Sequence, residues 1–129
     1  MTSRSLLLID DNDDYTTLVK LVLEQDNNWR IITASTVKEG IAKAQLEKLD
    51  LILLDIVMPN LDGIAVYKML KSKQATCSIP IIFLTAMIGM EKMVQSQVDA
   101  DVEVMTKPMS IIILKNQITD RYNRYLSLS

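Results

Sequence analysis

The chain of 129 residues is 49% hydrophobic and 23% charged, with a formal net charge of -2, one Cys and no His. That length suits one domain over residues 1–129, with a core large enough to need neither disulfides nor a structural metal. Lys and Arg number 14 against 16 Asp and Glu, which offers no basic surplus for gripping nucleic acid directly; Cys77 alone, without His, excludes zinc-finger ligand sets and Ser-His-Asp or Cys-His catalytic groups.

The amino end lacks the pattern of a secretory signal, and no apolar run is long enough to span a membrane, so a cytoplasmic protein is expected. The first apolar run, Leu6 to Ile9, reads as a strand ending at Asp10 and Asp11. Tyr15, Leu18 and Val22 then mark the inner face of a helix, with Asp13 and Asp14 at its favourable amino end. A second run, Trp29 to Ala34, precedes Thr36 and Glu39, a capping box that opens a helix carrying Val37, Ile41 and Ala44 inward. The third run, Leu51 to Leu54, is followed directly by Asp55. Asp62 is placed to cap a third helix with Val66, Met69 and Leu70 on its inner face and Lys68, Lys71 and Lys73 in its last turns. The fourth run, Ile81 to Leu84, ends at Thr85, and a weaker helix is predicted over residues 89–98. The fifth run, Val102 to Met105, leads to Lys107 and Pro108, after which a last helix begins.

Strand and helix alternating five times predict an α/β doubly wound parallel sheet, with right-handed crossovers and helices on both faces. Ligands of such folds sit beyond the carboxyl ends of the strands, where Asp10, Asp11, Asp55, Thr85 and Lys107 all fall. Two like charges about 4 Å apart repel by roughly 4 kcal/mol at an effective dielectric of 20, so three carboxylates there need compensation. Lys107 supplies one positive charge, and an oxygen-only ligand set suits Mg²⁺ better than zinc or copper. Asp55 is then the candidate nucleophile for a phosphoryl group, with Lys107 and Thr85 stabilising the moving oxygens and an aspartyl phosphate as product. A Mg²⁺-dependent phosphohydrolase would need an acid-base residue close after the nucleophile, where this chain has Ile56 and Val57.

Four motifs carry a family resemblance: Leu6-Leu7-Leu8-Ile9-Asp10-Asp11-Asn12, Leu51 through Gly63, Ile79 through Ala86, and Thr106-Lys107-Pro108. In that order they resemble the receiver domains of two-component response regulators, nearest in size to the stand-alone chemotaxis type. The resemblance implies a flavodoxin-like five-stranded sheet of order 2-1-3-4-5 with five helices. It implies that Asp55 is the phosphoacceptor, that Asp10, Asp11 and Asp55 hold Mg²⁺ with the backbone carbonyl of Val57, and that Thr85 and Lys107 bind the phosphoryl oxygens. It also implies a cis Lys107-Pro108 peptide bond and a loop shaped by Met58, Pro59 and Gly63. The implied partners are a sensor histidine kinase or phosphotransfer protein upstream and a protein target downstream, with no fused output expected after the last helix.

The family's usual aromatic switch residue, three positions before the Lys, is Val104 here, and its usual Gly and post-Pro aromatic are Ala100 and Met109. A β-branched side chain has no ring to bury or expose, so the ordinary coupling between Thr85 and that position is not expected. A receiver-fold scaffold that signals by contact alone is therefore a second reading. On the last helix, Ile111, Leu114, Ile118, Tyr122 and Tyr125 form one stripe, whereas Ile112 and Ile113 project with Asn116, Asp120 and Asn123. With Met90 and Met93 on the fourth helix, they mark a possible homodimer or partner face formed by the fourth helix, fifth strand and fifth helix.

Overall fold

The computed structural model describes residues 4–25, 28–58, 61–87, 89–99, 102–107 and 110–128. Strands β1 (Arg4–Ile9), β2 (Trp29–Ala34), β3 (Leu51–Asp55), β4 (Ile81–Thr85) and β5 (Glu103–Thr106) form one parallel sheet in the order 2-1-3-4-5. Helices α1 (Asp13–Leu23), α2 (Val37–Leu46), α3 (Gly63–Ser72), α4 (Glu91–Gln97) and α5 (Ile111–Leu128) alternate with them. A short antiparallel pair, Val57–Met58 with Leu61–Asp62, follows β3.

The continuous apolar runs resolve into two faces because successive side chains along a strand point to opposite sides. Leu7, Ile9, Ile52, Leu54, Phe83 and Val104 pack with Ala44, Val66, Leu70 and Val94 of α2, α3 and α4. Leu6, Leu8, Leu51, Leu53, Ile82, Leu84 and Met105 pack with Val19 and Leu23 of α1 and with Leu114, Ile118 and Tyr122 of α5. Trp29 is a packing residue: it is buried, meets the Tyr122 ring edge-on at 5.6 Å, and donates its indole N–H to Thr119 Oγ1.

Strand β2 lies at the sheet edge, where unpaired backbone groups invite association. Side chains blunt that edge. Lys20 Nζ donates to the Ile31 carbonyl at 2.8 Å, Glu24 accepts from the Ile31 N–H at 2.9 Å, and Lys43 Nζ donates to the Thr33 carbonyl at 2.6 Å.

The helix starts follow their caps. Asn12 accepts from the Tyr15 N–H, Thr36 from the Glu39 N–H, and Asp62 from the N–H groups of Ile64 and Ala65. The Glu39 side chain reaches back to the Ser35 N–H at 2.7 Å, one residue earlier than a standard capping box. At the far end of α3, Lys71 Nζ donates to the carbonyls of Cys77 and Ile79.

Several sequence expectations are corrected. The inner face of α1 is Thr16, Val19 and Leu23, with Tyr15 and Val22 at its margins, while Leu18 is 48% exposed. Leu18, Val19, Leu21, Val22 and Leu23 are nearly consecutive, so periodicity alone does not fix the rotation. Met69 of α3 is likewise exposed, although Val66 and Leu70 are buried as expected. Helix α4 begins at Glu91 rather than at residue 89, because Gly89 has φ of +90° and Met90 supplies no capping side chain. On α5, Leu114, Ile118 and Tyr122 are buried, Ile111 is half-buried and Tyr125 lies exposed at the end of the stripe.

Gly63 shows how tightly α3 is set against the end of β3. A Cβ there would overlap the Asp55 backbone carbonyl oxygen and come within 2.8 Å of Ile56 Cα, two groups that cannot swing away. At Gly40 the nearest atom is Ile9 Cδ1, the movable end of a side chain, at 2.8 Å. Gly63→Ala is expected to lower stability by about 1–3 kcal/mol through overpacking, despite the better helix propensity of Ala. Gly40→Ala should cost less. Urea unfolding of the two variants side by side checks the order.

Candidate functional site

The parallel register brings the carboxyl ends of β1, β3, β4 and β5 together. Ile9 pairs with Leu54, Asp55 with Leu84, and Thr85 with Thr106. Asp55 and Thr85 are thus the last residues of their strands rather than loop residues, because ladder bonds use the backbone and are indifferent to a polar side chain. The fifth strand likewise runs one residue further than expected, and beyond it the Lys107 N–H donates to the Thr85 carbonyl at 2.6 Å, which delivers Lys107 to the same edge.

Asp10 is fully buried. Its Oδ1 accepts from the Asn12 N–H at 2.9 Å, turning the chain into α1, and its Oδ2 accepts from Lys107 Nζ at 2.8 Å. The same Nζ lies 3.4 Å from Oδ2 of Asp55, which is also buried. Asp11 is exposed at the rim. Carboxylate oxygens of Asp10, Asp11 and Asp55 all lie within 4.8 Å of one another. Three carboxylates so close together, with oxygen ligands alone, outnumber the one ammonium that bridges Asp10 and Asp55. That donor set fits a hard divalent cation and offers nothing to a thiolate-preferring or imidazole-preferring metal.

Thr85 is buried, and its Oγ1 accepts from the Met87 N–H at 3.1 Å, so its hydroxyl ties the strand end to the following loop. Val57 lies two residues after Asp55 and pairs with Asp62. Val104 is buried opposite Phe83 in the ladder and belongs to the core on the α2, α3 and α4 side. Of the surface residues singled out in the sequence, Met93, Ile112 and Ile113 are exposed, whereas Met90 is half-buried against the core and does not present itself. The cis Lys107-Pro108 bond and the readings of Pro59, Ala100, Pro108 and Met109 lie outside the described residues.

Tyr15, which the helical periodicity marks only as a core position, is a site residue that the sequence does not reveal. Lys107 Nζ sits 4.3 Å from the centroid of its ring. Its hydroxyl oxygen is buried without a hydrogen-bond partner. Burial, and then the negative charges of Asp10 and Asp55, push the phenol well above its ordinary range, so it stays a neutral donor.

Removing one partner from a buried charge pair leaves the other uncompensated. Lys107→Met is expected to destabilise the metal-free protein by about 3 kcal/mol, since Asp10 then keeps a buried charge with only one amide donor. Adding Asp10→Asn in that background should recover part of the loss. Denaturant unfolding in the presence of a chelator measures both.

A family model for the response regulator receiver domain matches residues 6–119. The alkaline phosphatase synthesis transcriptional regulatory protein PhoP of Bacillus subtilis is 39% identical over 109 residues, covering 84% of this chain and 44% of that protein. The chain therefore spans less than half the length of such curated relatives. The Francisella response regulator 1452 receiver domain superposes with a TM-score of 0.77 at 27% identity, covering 95% of this chain and 99% of that one. Thermotoga maritima TrrA, solved in complex with Mg²⁺-BeF, gives a TM-score of 0.74 at 26% identity, covering 91% of this chain and 97% of its own. No helix among the described residues is long and apolar enough to cross a membrane. With four strand ends converging on an acidic cluster held by one lysine, and a family match over most of its length, the chain belongs to the response regulator receiver domain family.

Proposed function

We propose that this chain is a phosphorylation-dependent signalling switch in which Asp55 accepts a phosphoryl group from a histidine kinase or phosphotransfer protein. The observation that carries this reading is the sharing of Lys107 Nζ between Asp10 and Asp55, inside a cluster of three carboxylates whose oxygens lie within 4.8 Å of one another. Asp10, Asp11 and Asp55, with the Val57 backbone carbonyl, are the residues that would hold Mg²⁺. Bound there, the cation offsets the charge of the incoming phosphoryl group and lets it approach a carboxylate. The similarity to TrrA, which binds Mg²⁺ and a beryllofluoride group, supports that assignment.

In the transfer, an Asp55 carboxylate oxygen forms a bond to phosphorus as the bond from phosphorus to the donor's imidazole nitrogen breaks. The imidazole of the donor, protonated on its other ring nitrogen, leaves with the electron pair as neutral imidazole. Lys107 follows the negative charge from the carboxylate to the phosphoryl oxygens, and the Thr85 hydroxyl is the second donor assigned to them. No general base is required of this chain, because the nucleophile is already an anion. The chain is a phosphoacceptor rather than a turnover enzyme.

Output is assigned to a change in affinity for a protein partner. Met93 on α4, with Ile112 and Ile113 on α5, forms the apolar part of the face assigned to a second copy or a target. Val104 favours a second reading, a scaffold that signals by contact without phosphorylation, because the usual aromatic coupling has no ring to move.

Acetyl phosphate with saturating Mg²⁺ should add one phosphoryl group to the chain, seen by intact-mass spectrometry. The adduct should vanish in Asp55→Asn and under a chelator. An unmodified chain at saturating Mg²⁺ would overturn the reading and leave the scaffold. For the interface, Ile112→Glu combined with Ile113→Lys should weaken phosphorylation-dependent self-association or target capture at least tenfold, as removal of central apolar anchors commonly does at interfaces. Sedimentation with and without beryllofluoride reads it, and unchanged association would exclude this face.

A further inference from the structure

We infer that Tyr15 is a positioning residue of the phosphoacceptor site, its ring face holding the Lys107 ammonium over Asp55. The inference deepens the phosphoacceptor reading and rests on it. Lys107 is reached on three sides: Asp10 at 2.8 Å, Asp55 at 3.4 Å, and the Tyr15 ring centroid at 4.3 Å. A long lysine side chain has many rotamers, and two carboxylates alone fix its nitrogen without fixing the approach of its stem. The ring removes that freedom. Its negative face attracts the cation, and the attraction is larger here than at an open surface because the lysine side chain is only 15% exposed.

The position of Tyr15 makes the ring a fixed wall. The Asn12 cap accepts from the Tyr15 N–H at 3.1 Å, so the residue sits in the first turn of α1, three residues after the cap and four after Asp11. The ring packs at the margin of the core formed by α1 and α5. Its hydroxyl is buried and unpartnered, so no hydrogen bond explains why a tyrosine ring lies there. The contact with Lys107 does. A phosphoryl group on Asp55 adds negative charge on the far side of the ammonium, and a lysine already aimed at that point needs no search to meet it.

The test separates the ring from its hydroxyl and from mere packing. In Tyr15→Leu the rate of phosphorylation by acetyl phosphate at saturating Mg²⁺ should fall about fivefold, the scale of one partly desolvated cation–π contact. Tyr15→Phe should keep the wild-type rate. Phenylalanines bearing successively more ring fluorines, incorporated at this position, keep the shape and weaken the negative face, so the rate should decline stepwise along the series. Independently of metal, the ε-methylene protons of Lys107 should be shifted upfield by the ring in NMR spectra of the metal-free protein, in wild type and Tyr15→Phe but not in Tyr15→Leu. A flat fluorine series, a Tyr15→Phe as slow as Tyr15→Leu, or an absent ring shift would each overturn the inference while wild type still labels normally. A wild-type chain that never labels would defeat the phosphoacceptor reading and this inference together.

Discussion

The structure depends on one ammonium group placed between two buried carboxylates. Asp10 is wholly buried and Asp55 nearly so, and ionised carboxylates so far from water are tolerated only with a counter-charge and donors at hand. Lys107 meets both, and the Asn12 amide supplies a further donor to Asp10. The pairing joins residues 97 and 52 positions apart in sequence, so it forms only when β1, β3, β4 and β5 are all in register. The site is thus a readout of the correct sheet, and errors in strand order leave charges stranded. The acidic cluster around that ammonium is what the proposed cation and phosphoryl group would exploit.

The same arrangement bears on how a signal leaves the site without an aromatic at position 104. Val104 is packed beside Phe83 in the ladder and belongs to the core. The Thr85 hydroxyl already accepts from the Met87 N–H. Drawing that hydroxyl toward Asp55 would leave the Met87 amide without this acceptor, so the loop between β4 and α4 would have to rearrange to satisfy it. Gly89, in the left-handed region, and the start of α4, whose cap residue Met90 makes no side-chain cap hydrogen bond, come next along the chain.

Much of this was legible in the sequence because the strands are buried on both faces. Runs such as Leu51-Ile52-Leu53-Leu54 announce a covered parallel strand whatever its register, and the polar residue that ends each run lands at the carboxyl edge by topology. What was not legible depended on rotation. Leu18, Val19, Leu21, Val22 and Leu23 satisfy more than one helical face, and the packed face of α1 lies about one residue from the one that Tyr15, Leu18 and Val22 suggest. The same uncertainty hid Tyr15, since only the tertiary placement of α1 brings its ring over a lysine far along the chain. Apolar patterning carries no signal for a cation lying on a ring. A tyrosine three residues after the Asp10-Asp11-Asn12 turn is the one local clue.

The exposed pair on α5 follows from geometry rather than from loose packing. Leu114, Ile118 and Tyr122 recur every four residues and lock one stripe of the helix against β1, β3 and α1. At about 100° per residue, Ile113 and Ile112 stand roughly 100° and 200° away from Leu114. No rotation of α5 buries both without lifting Leu114 out of the core. Their exposure, 50% and 65%, is therefore built into the sequence, and solvent-facing positions further along the same side carry Asn116, Asp120 and Asn123 instead. Apolar residues held outward at the start of a helix are a surface that the packing of α5 against the sheet does not use.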